Sequence, residues 1–142
     1  MNIDQKETMV YGLQQVHQAA EHLFKRLPFC QVMTFTGSLG AGKTTIIREL
    51  LHKVGIQEPI TSPTFTYMNL YVNKSGQKFY HFDLYRIESL DAFCLSGFDE
   101  YLYQPNSWAF IEWPELIQPL LTHDVSHVYL EYSDDKRIMC II

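Results

Sequence analysis

Gln31-Val32-Met33-Thr34-Phe35-Thr36, then Gly37-Ser38-Leu39-Gly40-Ala41-Gly42-Lys43-Thr44, then Thr45-Ile46-Ile47-Arg48-Glu49-Leu50-Leu51: this run decides the fold. Residues 31–36 carry Val32, Met33 and Phe35 and read as a short buried strand. From residue 44 to 54 the apolar Ile46, Ile47, Leu50 and Leu51 fall on one helical face, and Gly55 closes the helix. Between strand and helix, residues 37–44 match Gly-x-x-x-x-Gly-Lys-Ser/Thr.

That spacing has a physical purpose. Glycine permits positive φ and lets bare backbone approach phosphate oxygens. Successive N–H groups then converge on one concavity, and the helix behind adds its positive N-terminal end. Lys43 is placed to reach β- and γ-phosphates, and Thr44 to hold magnesium through its hydroxyl. A chance glycine-rich loop lacks a strand before it and a helix after it, and both are expected here. A nucleoside triphosphate with magnesium is therefore the expected ligand.

Magnesium takes oxygen ligands and keeps several waters, so one or two carboxylates complete such a site. Two acids end apolar runs: Asp83 follows Phe79-Tyr80-His81-Phe82, and Glu112 follows Trp108-Ala109-Phe110-Ile111. By pattern alone Glu112 is better placed, because its run reads as a core parallel strand beside the loop strand. Asp83 falls in an expected hairpin, where an acid is often a solvated face. Pattern leaves both acids open. Thr64 is either a switch-type threonine sensing the γ-phosphate or a turn residue after Pro63. His81 is a proton acceptor or, more commonly at such a position, a packed or exposed strand histidine. Trp113 neighbours the nucleotide or caps the core. Tyr85 and Phe82 are core or partner-facing aromatics.

Further out, Met9, Leu13, Val16, Ala20, Leu23 and Leu27 recur at three- and four-residue steps. They predict an amphipathic helix over residues 5–26, stopped by Pro28. Residues 61–64 form a polar loop. Residues 65–72 and 78–86 predict an antiparallel hairpin around Asn73-Lys74-Ser75-Gly76. Residues 90–103 predict a helix broken near Gly97, residues 108–112 a short strand, and residues 114–121 a short helix opened by Pro114. Residues 125–132 and 136–142 predict a closing hairpin. The βα start and the mixed connections after it imply an α/β domain with a mixed sheet.

The chain has 142 residues, which fits a single domain over 1–142. A domain near this size buries about 68–70% of its unfolded-chain surface. Apolar residues make up 46% and charged residues 19%, a globular composition. The net charge of −5 argues against autonomous nucleic-acid binding and leaves RNA to be handled through a partner. Cys30, Cys94 and Cys140 are an odd set without Cys-x-x-Cys spacing. They predict reduced thiols in a cytoplasmic protein, not a disulfide framework or zinc knuckle. Asp4, Glu7 and Glu21 leave no apolar core for a signal peptide. No run approaches the ~18 apolar residues of a membrane helix.

Four motifs stand in order: Gly37-Ser38-Leu39-Gly40-Ala41-Gly42-Lys43-Thr44-Thr45, Ser62-Pro63-Thr64-Phe65, His81-Phe82-Asp83-Leu84-Tyr85-Arg86 and Ile111-Glu112-Trp113-Pro114-Glu115. Together they resemble the TsaE (YjeE) family, the small bacterial ATPase of tRNA threonylcarbamoyladenosine (t6A) synthesis. The resemblance spans nearly the whole chain. The loop is common to many NTPases, whereas the second half of the set is specific. The resemblance implies a P-loop NTPase-like three-layer α/β domain with a mixed parallel/antiparallel sheet and β-hairpin insertions. It implies ATP/ADP and Mg2+ as cofactors and TsaD and TsaB as partners. With TsaC, those partners install threonylcarbamoyl on adenosine 37 of tRNAs reading ANN codons. The family's part resembles a nucleotide-driven switch or reset, and tRNA is met only through the complex.

By matching motifs, residues Gly37 to Thr45 hold the phosphates, with Lys43 and Thr44 the phosphate and magnesium residues. Thr64 becomes the switch threonine, Asp83 and Glu112 the functional acids at metal or water, and Trp113 a neighbour of the nucleotide. One position departs: Ser38 stands where the family usually has Asp. The backbone cradle does not use that side chain, so binding is expected to survive. A carboxylate role in hydrolysis or docking at that position does not carry over.

The implied reaction is ATP + H2O → ADP + phosphate, driven by positioning and charge neutralisation. Of the four arginines, Arg26, Arg48, Arg86 and Arg137, only Arg86 lies beside a site motif in sequence. No cis arginine finger is expected, and turnover without partners is expected to be slow. Two rivals share the loop. A small metabolite or nucleoside kinase needs an arginine-bearing lid, for which the chain shows no insertion. A nucleotide-gated binding module needs no hydrolysis. No Asn-Lys-x-Asp guanine motif is present, and ATP is inferred mainly from the resemblance.

Overall fold

The computed structural model describes residues 6–142. Among the described residues seven strands form one sheet in the order β1-β7-β6-β2-β5-β4-β3. They are β1 (Glu7–Tyr11), β2 (Val32–Thr36), β3 (Met68–Val72), β4 (Lys78–Asp83), β5 (Ser107–Glu112), β6 (Val125–Ser133) and β7 (Lys136–Ile141). The helices are α1 (Val16–Phe24), α2 (Lys43–Lys53) and α3 (Leu90–Leu95).

The loop strand β2 sits at the centre, parallel to β5 on one side and β6 on the other. Val32, Met33 and Phe35 are fully buried, as a strand covered on both faces requires. β4 extends the parallel set beyond β5. Antiparallel pairs finish the two edges: β3 on β4 at one, and β7 on β6 with β1 on β7 at the other. The expected mixed sheet and three-layer arrangement are both present. On one face α1 and α2 pack Ala19, Ala20, Leu23, Ile46, Ile47, Leu50 and Leu51 onto Met33, Phe35, Phe110, Val128 and Met139. On the other, Phe93 of α3 and Ile117 of the 3-10 segment Glu115–Leu120 cover Val32, Tyr80, Phe82, Ala109 and Ile111.

The expected helix over residues 5–26 is corrected; residue 5 lies outside the described residues. Glu7–Tyr11 is an edge strand, Leu13–Gln15 a 3-10 turn, and only Val16–Phe24 is α-helical. In β1 the residues Glu7, Met9 and Tyr11 turn inward while Thr8 and Val10 stay exposed, a period of two. The free edge of β7 supplies the hydrogen-bond partners, so tertiary pairing overrides the helical spacing. Leu13, one of the supposed core positions, is 76% exposed. The strand expected from residue 65 starts at Met68, because Tyr67 takes positive φ and its N–H donates to Pro63 O. The strand expected to run to residue 86 ends at Asp83. Gly97, at φ +81, breaks the helical stretch where expected, leaving α3 and a 3-10 turn at Phe98–Tyr101.

Candidate functional site

The parallel strands deliver three chain ends to one edge of the sheet. β2 ends at Thr36 and runs into the glycine-rich loop; β5 ends at Glu112; β4 ends at Asp83. Phe35 is the register partner of Glu112, and Glu112 is the partner of Asp83. Backbone bonds fix these ends: Leu84 N–H donates to Glu112 O at 3.1 Å, and Trp113 N–H to Phe35 O at 3.4 Å. Asp83 therefore does not lie on a solvated hairpin face. Its strand is paired on both sides, and the residue is only 7% exposed.

A cleft of 430 Å³ opens at this edge. Leu39, Gly40, Gly42, Lys43, Thr44 and Thr45 line it from the loop, with Ser62, Thr64, Asp83, Tyr85, Glu112 and Trp113. The carbonyls of Gly37, Ser38 and Ala41 accept from side chains that line it. Gly40 and Gly42 have φ of +78° and +98°, the left-handed region that the loop's reversal requires. Lys43 Nζ donates to the carbonyls of Gly37 and Ser38 and lies 3.9 Å above the Trp113 ring. Burial pulls the Lys43 amine below its ordinary pKa, and Glu112, Asp83 and Glu115 oppose that shift.

The two acids are held differently. Glu112 is 3% exposed. Its carboxylate oxygens lie 2.9 and 3.0 Å from Thr44 Oγ1, which donates to them. His81 Nε2 lies 2.7 Å from Glu112 Oε2. Asp83 Oδ1 accepts from Tyr85 N at 3.1 Å, and Oδ2 accepts from Thr64 Oγ1 at 3.2 Å. The Thr64 hydroxyl thus meets the Asp83 carboxylate and also lies 2.8 Å from Ser62 Oγ. Trp113 lines the cleft and tilts on Tyr85 at 4.9 Å, so it does not merely cap the core. Its φ of +58° is a strained conformation for a bulky residue.

Hydroxyl and carboxylate oxygens at Thr44, Glu112 and Asp83 form a hard donor set that fits magnesium. Among the described residues no group of three or more His, Cys, Asp or Glu side chains makes an all-protein cage.

Sequence reasoning missed Tyr132 and Arg137. It singled out Arg86 as the arginine beside a site motif, but Arg86 lies over the Phe65 ring and Arg137 is the arginine that lines the cleft. Arg137 Nε donates to Ala41 O at 3.1 Å, and Nη2 to the Tyr132 hydroxyl at 2.8 Å. The signal was the closing hairpin. β6 runs parallel to β2, so its far end returns to the loop. A larger cleft, 760 Å³, lies between Phe24, Lys53 and Trp108, lined by none of residues 37–44.

Residues 10–139 match the family model described as "Threonylcarbamoyl adenosine biosynthesis protein TsaE". The tRNA threonylcarbamoyladenosine biosynthesis protein TsaE of Haemophilus influenzae is 38% identical over 119 residues, 83% of this chain and 74% of that one. The protein of the same name from Rickettsia felis is 35% identical over 130 residues, 91% of this chain and 74% of its own. The crystal structure of Bacillus subtilis YdiB superimposes with a TM-score of 0.69 at 26% identity, covering 96% of this chain and 84% of that one. Family model, relatives and fold agree, and the chain belongs to the TsaE family.

Proposed function

We propose that this chain is a cytoplasmic, single-domain ATPase of tRNA threonylcarbamoyladenosine biosynthesis, acting with TsaD- and TsaB-type partners. The observation that carries the reading is the meeting of Thr44 and Glu112. A loop hydroxyl and a strand-end carboxylate share one contact at the mouth of a phosphate cradle. Family membership supports the pathway. Among the described residues no helix is long and apolar enough to cross a membrane.

The residues divide the work. Loop N–H groups and Lys43 bind the β- and γ-phosphates. Thr44 would hold Mg2+, with Glu112 and Asp83 beside it, and the bound ion would supply charge neutralisation to the phosphates. The strand-end acids orient the attacking water. Thr64, bonded to Asp83, reads the γ-phosphate by exchanging that bond for a phosphate oxygen. Trp113 and Tyr85 wall the cleft and exclude water beside Lys43.

Turnover by the isolated chain is slow in this reading. Arg137, the arginine lining the cleft, is already engaged by Ala41 and Tyr132. A missing arginine finger costs on the order of 10³–10⁵ in rate. Phosphate release measured with and without TsaB–TsaD tests the assignment. Slow turnover that accelerates in the complex is expected. Fast turnover by the isolated chain rejects the partner dependence, and phosphorylated nucleosides as product reject the ATPase in favour of a kinase.

A further inference from the structure

We propose that His81 is the positioning residue for Glu112: its Nε2–H donates to Glu112 Oε2 and turns that carboxylate toward the Thr44 hydroxyl. The consequence for metal uptake rests on the cleft reading above. The side-chain relay itself rests only on geometry.

Strand parity brings the two residues together. His81 stands two positions before Asp83 on β4, so both side chains share a face. Asp83 pairs with Glu112 across the parallel ladder, which makes His81 and Glu112 diagonal neighbours on that same face. The contact is 2.7 Å, between a fully buried imidazole and a carboxylate 3% exposed. Glu112 spends one oxygen on His81 and still meets Thr44 with both.

The other ring nitrogen supplies the second argument. His81 Nδ1 is buried and, among the described residues, has no hydrogen-bond partner. A carboxylate accepts and does not donate, so the proton facing Glu112 sits on Nε2. A histidine present only to fill volume leaves an unpaired buried nitrogen for no return. Its strand neighbours Phe79, Tyr80 and Phe82 are aromatic, and a phenylalanine fills the same space without that cost. What the imidazole adds is a directed donor. Such outer hydrogen bonds orient the carboxylates that hold metals.

The test uses the full chain in three forms: parent, His81→Phe and His81→Gln. The glutamine amide offers an N–H near the position of Nε2–H, whereas phenylalanine offers none. Mn2+ affinity in the presence of ADP is read by electron paramagnetic resonance, metal-free ADP affinity by calorimetry, and kcat and KM by phosphate release. His81→Phe is expected to keep metal-free ADP affinity and KM, and to lose about 10–100-fold in Mn2+ affinity and kcat. His81→Gln is expected to recover most of that loss. Equal Mn2+ affinity in all three forms overturns the proposal, as do equal losses of every parameter in both variants.

Nitrogen NMR of the parent gives a measurement that no variant's folding can obscure. A proton on His81 Nε2 is expected, and an imidazole protonated only at Nδ1 overturns the proposal. If the parent takes up no Mn2+, the metal reading of the cleft fails by itself, and the NMR result decides the role of His81.

Discussion

Asp83 and Glu112 are register partners at the ends of adjacent parallel strands, so two acids arrive side by side on one face of the sheet. Their partners separate their roles: Glu112 meets Thr44, while Asp83 meets Thr64. Glu112→Gln keeps the shape but weakens the acceptor and removes a charge. Its kcat is expected to fall on the order of 10²-fold or more, as for loss of a positioned acid or base. Metal-free ADP binding should persist. Asp83→Asn should instead blunt the difference between ATP and ADP affinity, because Thr64 loses its charged partner. Calorimetry with both nucleotides, alongside phosphate release, checks the pair. If Glu112→Gln lacks hydrolysis yet sustains tRNA modification with partners present, nucleotide binding alone is the function.

The loop and its helix were legible in the sequence because each rests on local order, and the two acids could be named as strand ends while their roles stayed open. Glycine spacing fixes the loop, and an acid after an apolar run marks a strand end. Which strands lie side by side was not local. Nothing in residues 78–83 says that β4 pairs with β5 as well as β3, and that second pairing takes Asp83 out of a solvated hairpin. Arg137 was missed for the same reason, since β6 reaches the loop by pairing with β2 across a long separation. Residues 7–11 misled because Met9 fits a helical step and a strand step equally, and only the edge of β7 decides between them.

Lys43 is expected to be a stability liability kept for binding. Burial is the leading cause of its lowered pKa, so the folded state disfavours the charged amine. The sign follows from linkage: below the ordinary lysine value the unfolded chain holds more protons, and stability drops as pH falls through that window. Lys43→Met is therefore expected to leave the nucleotide-free Tm at pH 7 no lower than the parent's. It also removes a charge-assisted hydrogen bond to phosphate, about 1.5–3 kcal/mol, or roughly 10–150-fold in affinity. Calorimetric melting and ADP titration read the two effects separately. A large fall in Tm would contradict the first.

His127 gives a separate acid limb. Its Nδ1 lies 2.8 Å from Thr34 Oγ1 in the central sheet, and burial lowers its pKa. The folded state prefers the neutral ring. Its contribution is therefore complete above the ordinary histidine value and is lost as pH falls below it, where the unfolded chain takes up the proton. His127→Gln is expected to flatten the fall in Tm between about pH 7 and pH 5, the range spanning the ordinary histidine pKa. Parallel melting curves for parent and variant across that range would assign the acid limb elsewhere.

Gly37 is required for space, not for backbone freedom. Unlike Gly40 and Gly42 it does not take positive φ, but a Cβ there would stand 2.5 Å from Leu130 O and 3.1 Å from Ala41 Cβ. The first contact is backbone of β6, which pairs with β7 at Leu130 and with β2 up to Tyr129, so it gives little. Gly37→Ala must therefore push the loop off the sheet. Overpacking of this kind costs about 1–3 kcal/mol, which is roughly 2–12 °C in Tm for a chain of this size. Phosphate binding should fall with it, since the displaced loop carries the N–H groups of the cradle. Gly12→Ala is the control: its φ is −91° and the nearest atom is Gln15 Oε1 at 3.9 Å. That change is expected to leave Tm unchanged or slightly raised, by the reduced entropy of the unfolded chain. Equal melting temperatures for the two variants would show that the approach of Leu130 to the loop does not constrain position 37.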